Sequence, residues 1–140
     1  MRLAFLVPLL AAGLIGHLAS SSATAPSPPT AGTLVGSWHL VAQRVMVVDG
    51  HKLPDETLIF GEDQRFRFLR KKRLVAQGAY HTGRDSTCGQ QGLAQLILEP
   101  ASPGAYAPSG AYTLHGDTLV IDMTNTCASD MPIFTYRRAP

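Results

Sequence analysis

Cysteine and tryptophan are scarce in this chain, with two cysteines and a single tryptophan in 140 residues. So few thiols exclude a scaffold stapled by several disulfides and a four-thiolate metal centre. An excess of one charge is also missing. Twelve Lys and Arg face ten Asp and Glu, so no global field draws the chain to nucleic acid. Beyond the N-terminal stretch there is no long apolar run, and no helical periodicity of useful length. Helix bundles and doubly wound α/β folds are thereby excluded. The chain carries no Gly-x-Ser-x-Gly elbow, no His-Glu-x-x-His pair and no phosphate-cradling glycine loop, so no enzymatic activity and no cofactor are expected.

What is present starts at the N-terminus. Arg2 precedes an uncharged apolar run, Leu3 to Ile15, and a Ser-rich stretch begins at Ser20. This order is that of a secretory signal, and the run is too short to span a bilayer. Small residues permit cleavage after Ala23 or after Ala25, and Pro26 disfavours the second. Residues 1–23 are read as the signal, and 24–33 as a Pro/Ser/Thr-rich tether of extended, polyproline-like character. The segment Leu18-Ala19-Ser20-Ser21 lacks the thiol that lipid anchoring requires. An exported protein, periplasmic or secreted and without a lipid anchor, is expected. One domain then occupies 34–140, carrying 11 basic residues against 10 acidic once Arg2 is removed.

In an oxidising compartment, Cys88 and Cys127 form one disulfide or remain two buried thiols. Closing that loop would stabilise the fold by roughly 4 kcal/mol in the chain-entropy account. Cys88 with His81 as base is a weaker nucleophile reading than a structural bridge. His39, His51, His81 and His115 fall on separate elements without ligand spacing, so no metal site is expected.

Short apolar or alternating runs recur between turn signals, the mark of an all-β sandwich or barrel. They are Trp38 to Val48, Thr57 to Phe60, Arg65 to Leu69, Leu74 to His81, Leu93 to Leu98, Ala111 to Leu114, Asp117 to Thr124 and Ile133 to Arg138. Gly83, Asp85 and Cys88 are assigned to a long loop, His115-Gly116 to a tight turn, and Leu53 to Glu56 to a single helical turn. Such a series closes most economically as an eight-stranded antiparallel up-and-down barrel with short strands. A closed meander makes the first and last strands neighbours. Arg138 shares parity with Phe134 and Tyr136, so it is expected over the Trp38 indole, unless both terminal arginines are solvated.

The ordered set Gly36-Ser37-Trp38-His39-Leu40, Leu58-Ile59-Phe60 with an acidic turn and Phe66, Gly78-Ala79-Tyr80, Gly110-Ala111-Tyr112, Gly116-Asp117-Thr118-Leu119-Val120-Ile121 and Tyr136-Arg137-Arg138 resembles the small bacterial exported lipocalin-like domain proteins. The likeness spans nearly all of Leu34 to Arg138. The chain is shorter than a typical lipocalin and lacks a candidate for the helix that follows the strands there. The resemblance implies an eight-stranded barrel and a small hydrophobic ligand in its lumen or mouth.

On parity, Phe66, Phe68, Tyr80, Tyr112, Leu119, Ile121 and Met123 face the lumen and form the candidate ligand wall. Barrels of eight strands also pack shut with side chains. A filled lumen would favour a protein-interaction barrel instead. The chain is similar in outline to small exported metalloprotease inhibitors, whose N-terminal arm enters the protease cleft, although Cys88 lies far from the opening Trp. Six of the nine residues Arg65 to Arg73 are basic, with Phe66 and Phe68 interleaved. Either the charges solvate a hairpin, or the hairpin meets an anionic membrane surface, lipid headgroup or glycan; export disfavours nucleic acid.

Overall fold

The computed structural model describes residues 33–45, 52–87, 90–127 and 130–140. The expected signal, most of the tether, and Cys88 lie outside them. Eight strands follow in order: β1 Gly36–Arg44, β2 Glu56–Phe60, β3 Arg65–Arg70, β4 Arg73–Thr87, β5 Gln90–Pro100, β6 Gly110–His115, β7 Thr118–Asp122 and β8 Ile133–Arg138. Each pairs with the next, and β8 returns to β1, giving a closed antiparallel barrel. The up-and-down topology is the one expected from the strand series.

Alternation builds the interior. Leu58 and Phe60 on β2, Phe66 and Phe68 on β3, Leu119 and Ile121 on β7, and Phe134 and Tyr136 on β8 are all buried. Period two places the residues between them on the outer face. Trp38, Leu58, Phe60, Phe66, Phe68, Leu96, Leu119, Ile121 and Tyr136 are essentially inaccessible. Fully burying each contributes roughly 1.5–3 kcal/mol against the cost of ordering the chain.

Backbone details fix the wall. Gly78 faces inward opposite Phe66, in register with Pro100. A Cβ there would lie 1.9 Å from the Glu99 carbonyl oxygen, so only glycine fits. The β3–β4 hairpin turns through Lys71 (φ 50°) and Lys72 (φ 63°), between the paired residues Arg70 and Arg73. Two consecutive left-handed residues are the backbone of a type I′ turn, which Asn-Gly fills most easily. A non-glycine residue in that region costs about 1–2 kcal/mol.

Several expected boundaries move. Gly83 and Asp85 belong to β4, because Gly83 pairs with Gln95 and Asp85 with Leu93 in an extended hairpin. Ladder hydrogen bonds outweigh their weak strand propensity. The β6–β7 turn is Gly116-Asp117 rather than His115-Gly116, since His115 pairs with Thr118. Its positive φ falls at Gly116 (54°). The residues before β2 are not helical, and Glu56 opens that strand. A single 3₁₀ turn sits instead at Thr124–Thr126, taking in Thr124, the expected last residue of β7. The Asp122 carboxylate accepts hydrogen bonds from the Thr124 amide (2.9 Å) and hydroxyl (2.6 Å), which bends the chain out of the strand.

Candidate functional site at the barrel mouth

The two ends of the barrel differ. One is sealed by the segment leading into β1 and the end of β8. The fully buried Trp38 donates its indole N–H to the Leu34 carbonyl at 2.7 Å. The Arg138 guanidinium stacks 4.3 Å from the indole centroid. It donates to the carbonyls of Val35 (2.8 Å) and Thr33 (2.6 Å), and its Nε lies 3.2 Å from the Asp117 carboxylate. Gly36, at φ 134°, brings the backbone so close that a Cβ would meet the Arg138 guanidinium. Nothing polar is left unpaired at Trp38, so this end is a structural plug.

The opposite end holds the chemistry. Glu56 opens β2 on the inward-facing parity of Leu58 and Phe60, and its side chain is only 3% exposed. Arg70, across the β2–β3 ladder, reaches over it. Nε and Nη2 both donate to Glu56 Oε1, at 2.9 and 2.7 Å. Arg70 is itself half exposed, and its guanidinium carbon lies 5.9 Å from the Phe68 ring. The β5–β6 connection folds across this mouth. Pro108 is fully buried, Ala105 and Ala107 pack on the core, and Ser109 Oγ ties the loop to Leu98. Tyr106 then sets its ring edge-on to Phe68, 6.2 Å away, with its hydroxyl donating to Met123 Sδ at 3.5 Å.

Tyr136 points into this cluster. It is completely buried, and its hydroxyl has no hydrogen-bond partner among the described residues. Burial holds that hydroxyl far above the ordinary tyrosine range; the Glu56 carboxylate and Tyr106 add to the rise, and Arg70 offsets part of it. Tyr106 is shifted upward by burial and by Glu56 as well. Both phenols therefore stay protonated and able to donate at biological pH. A neutral donor, a carboxylate, half a guanidinium and two aromatic rings suit recognition of a hydrogen-bonding group on an otherwise apolar molecule.

Most of the residues expected to line the lumen form the packed core. Phe66, Phe68, Leu119, Ile121 and Met123 are buried, and Tyr80 and Tyr112 pack against them. Tyr80 stacks edge-on to Phe60 at 4.8 Å and donates to the Gly61 carbonyl. Only Phe68 and Met123 reach the mouth cluster. Cys88 lies outside the described residues; Cys127 is exposed, in left-handed conformation after the 3₁₀ turn. Residue reasoning missed Glu56, Tyr106 and the role of Tyr136. Parity with Leu58 and Phe60 was the available signal for Glu56, whereas Tyr106 lies in a Pro/Gly-rich loop without periodicity.

Outside the lumen, a cleft of about 470 Å³ opens on the outer wall where β5 and β6 part after two paired positions. Leu93, Ala94, Ala111 and Tyr112 line it, together with Arg44 and Asp122. Among the described residues, no cluster of three or more His, Cys, Asp or Glu is placed to hold a metal ion. Comparison of the chain with family models, with curated proteins and with solved structures finds no match.

Proposed function

We propose that this protein is an exported lipocalin-like barrel that binds a small hydrophobic molecule at its mouth, without catalysing a reaction. The observation that carries the reading is the buried Tyr136 hydroxyl, unpartnered among the described residues and within electrostatic reach of Glu56 and Arg70. An unsatisfied buried donor costs about 1–3 kcal/mol. A ligand group accepting from it would recover that cost. The expected ligand is mainly apolar, enters past the partly exposed Tyr106 ring, and carries an uncharged acceptor such as a carbonyl or hydroxyl.

The test is native mass spectrometry of protein recovered from an exporting host, with uptake of the neutral dye N-phenyl-1-naphthylamine. A bound apolar species is expected, displaced by the dye. Tyr136→Phe should weaken binding of the recovered species by roughly tenfold, the worth of one hydrogen bond. It should also raise stability by about 1 kcal/mol, because a buried orphan is removed. Neither a bound species nor dye uptake would sink the proposal. The same sample tests export: its intact mass should start at Thr24 and lack two hydrogens for a Cys88–Cys127 bridge.

The packed core supports a second reading, a barrel acting through its surface on another protein, such as a periplasmic protease. The tether before Thr33 would then be the contacting arm. Protease activity unchanged by excess protein removes this reading for the enzymes tried.

A further inference from the structure

We propose that the β3–β4 hairpin docks the mouth of the barrel onto an anionic lipid bilayer. The tip Arg70-Lys71-Lys72-Arg73 is exposed throughout. Arg70 is engaged by Glu56, while Lys71, Lys72 and Arg73 make no salt bridge among the described residues. Charges at a sheet margin often serve to blunt an unpaired edge. That explanation fails here. β3 is flanked by β2 and β4, β4 by β3 and β5, and the barrel is closed.

The turn itself gives the second observation. Lys71 and Lys72 both occupy left-handed backbone, where Asn-Gly would fold with less strain. Strained backbone of this kind concentrates at functional positions. Here two lysines are held at the tip of a hairpin at the mouth end, and the Lys71 amide is tied to the Asp55 carbonyl at 2.8 Å.

Apolar side chains accompany the charge. Leu74 is 49% exposed and Val75 40% exposed, directly after the tip. Leu74 pairs with Leu69, and Val75 is the extra residue of the bulge between Phe68 and Leu69. Leu53, 38% exposed, precedes the Asp55 that holds the turn. Basic residues beside exposed Leu and Val match a headgroup layer over acyl chains. A single-stranded nucleic acid is a poorer match. The interleaved Phe66 and Phe68 are 1% and 0% exposed and offer no ring for base stacking.

The test is vesicle co-sedimentation of the purified protein without added ligand, so it stands apart from ligand binding at Tyr136. Vesicles of phosphatidylcholine with about a third phosphatidylglycerol should pellet the protein, and pure phosphatidylcholine should not. Binding should fall as salt rises from about 0.15 M to about 0.5 M. The double variant Lys71→Asn/Lys72→Gly removes two charges while supplying the preferred turn. It should lose roughly 20–30-fold in partitioning, about fivefold per lysine, and yet melt at a higher temperature than the parent chain. Leu74→Ser/Val75→Ser should reduce partitioning with the charges intact. Equal pelleting with both vesicle types, or undiminished binding by the lysine variant, overturns the proposal. So does a stronger preference for a sulfated glycan or a single-stranded oligonucleotide.

Discussion

Single residues decide how this barrel is closed and where a buried polar group is left unpaired among the described residues. Trp38 and Tyr136 are both fully buried aromatics with a polar atom, yet they are treated differently. The Trp38 indole N–H reaches a carbonyl within the plug, and Arg138 covers its face. The Tyr136 hydroxyl lies within electrostatic reach of Glu56 and Arg70 and has no hydrogen-bond partner among the described residues. Arg138→Ala should destabilise the fold by about 2–3 kcal/mol, through loss of a cation–π contact and of donors to two carbonyls. Urea denaturation measures this. Arg138→Lys should recover little, because one ammonium cannot lie flat on the indole and serve both carbonyls. Arg70→Ala leaves the Glu56 carboxylate buried without its partner. Since Arg70 is half exposed, the expected cost is about 1–3 kcal/mol, below that of breaking a fully buried pair.

At the level of the elements, alternation in Phe66/Phe68 and Leu119/Ile121 was enough to orient β3 and β7 correctly. The placement of Arg138 over Trp38 followed from closure together with the parity of Arg138 with Phe134 and Tyr136. The ends of β4, β5 and β7 were less legible. Gly83 and Asp85 discourage a strand locally, and only the facing Leu93 to Leu96 segment makes one. Thr124 reads as β-forming, yet the Asp122 carboxylate captures its amide and hydroxyl. The mouth cluster was hidden for a related reason. Glu56 reads as the end of a single helical turn, and Tyr106 reaches Phe68 only because the β5–β6 connection is pinned by Ser109 and Pro108. Pairwise proximity of that kind has no trace in periodicity. Gly78 was legible as part of a motif but not as a packing constraint. Gly78→Ala places a methyl against the Glu99 carbonyl, between two strands that cannot separate without opening the wall. A loss of at least about 2 kcal/mol is expected on thermal or urea unfolding. Gly83→Ala, on the same strand with open space around its Cα, should be near neutral by comparison.

For the whole molecule, the mouth phenols couple global stability to alkaline pH. Burial raises the Tyr136 and Tyr106 hydroxyls above the ordinary value near 10. Below that value both folded and unfolded chains keep the protons, so these tyrosines give stability no pH dependence. Above it the unfolded chain releases protons that the folded chain retains. Stability then falls as pH rises, by roughly 1.4 kcal/mol per pH unit for Tyr136 while it stays fully protonated in the fold, and by less for the partly exposed Tyr106. Tyr136 is the strongest case because it is inaccessible. Urea midpoints measured from pH 8 to about pH 11 should therefore drop more steeply in the parent chain than in Tyr136→Phe. The two curves should run parallel below the ordinary tyrosine range, with the variant higher, and diverge above it. Tyr80 sits away from the mouth cluster, with its own hydroxyl donating to Gly61. Tyr80→Phe should leave most of the alkaline slope in place. Curves for Tyr136→Phe and the parent chain that remain parallel through the alkaline range would show that the Tyr136 proton is not held by the fold. They would also remove the reason for placing a hydrogen-bonding ligand group at this hydroxyl.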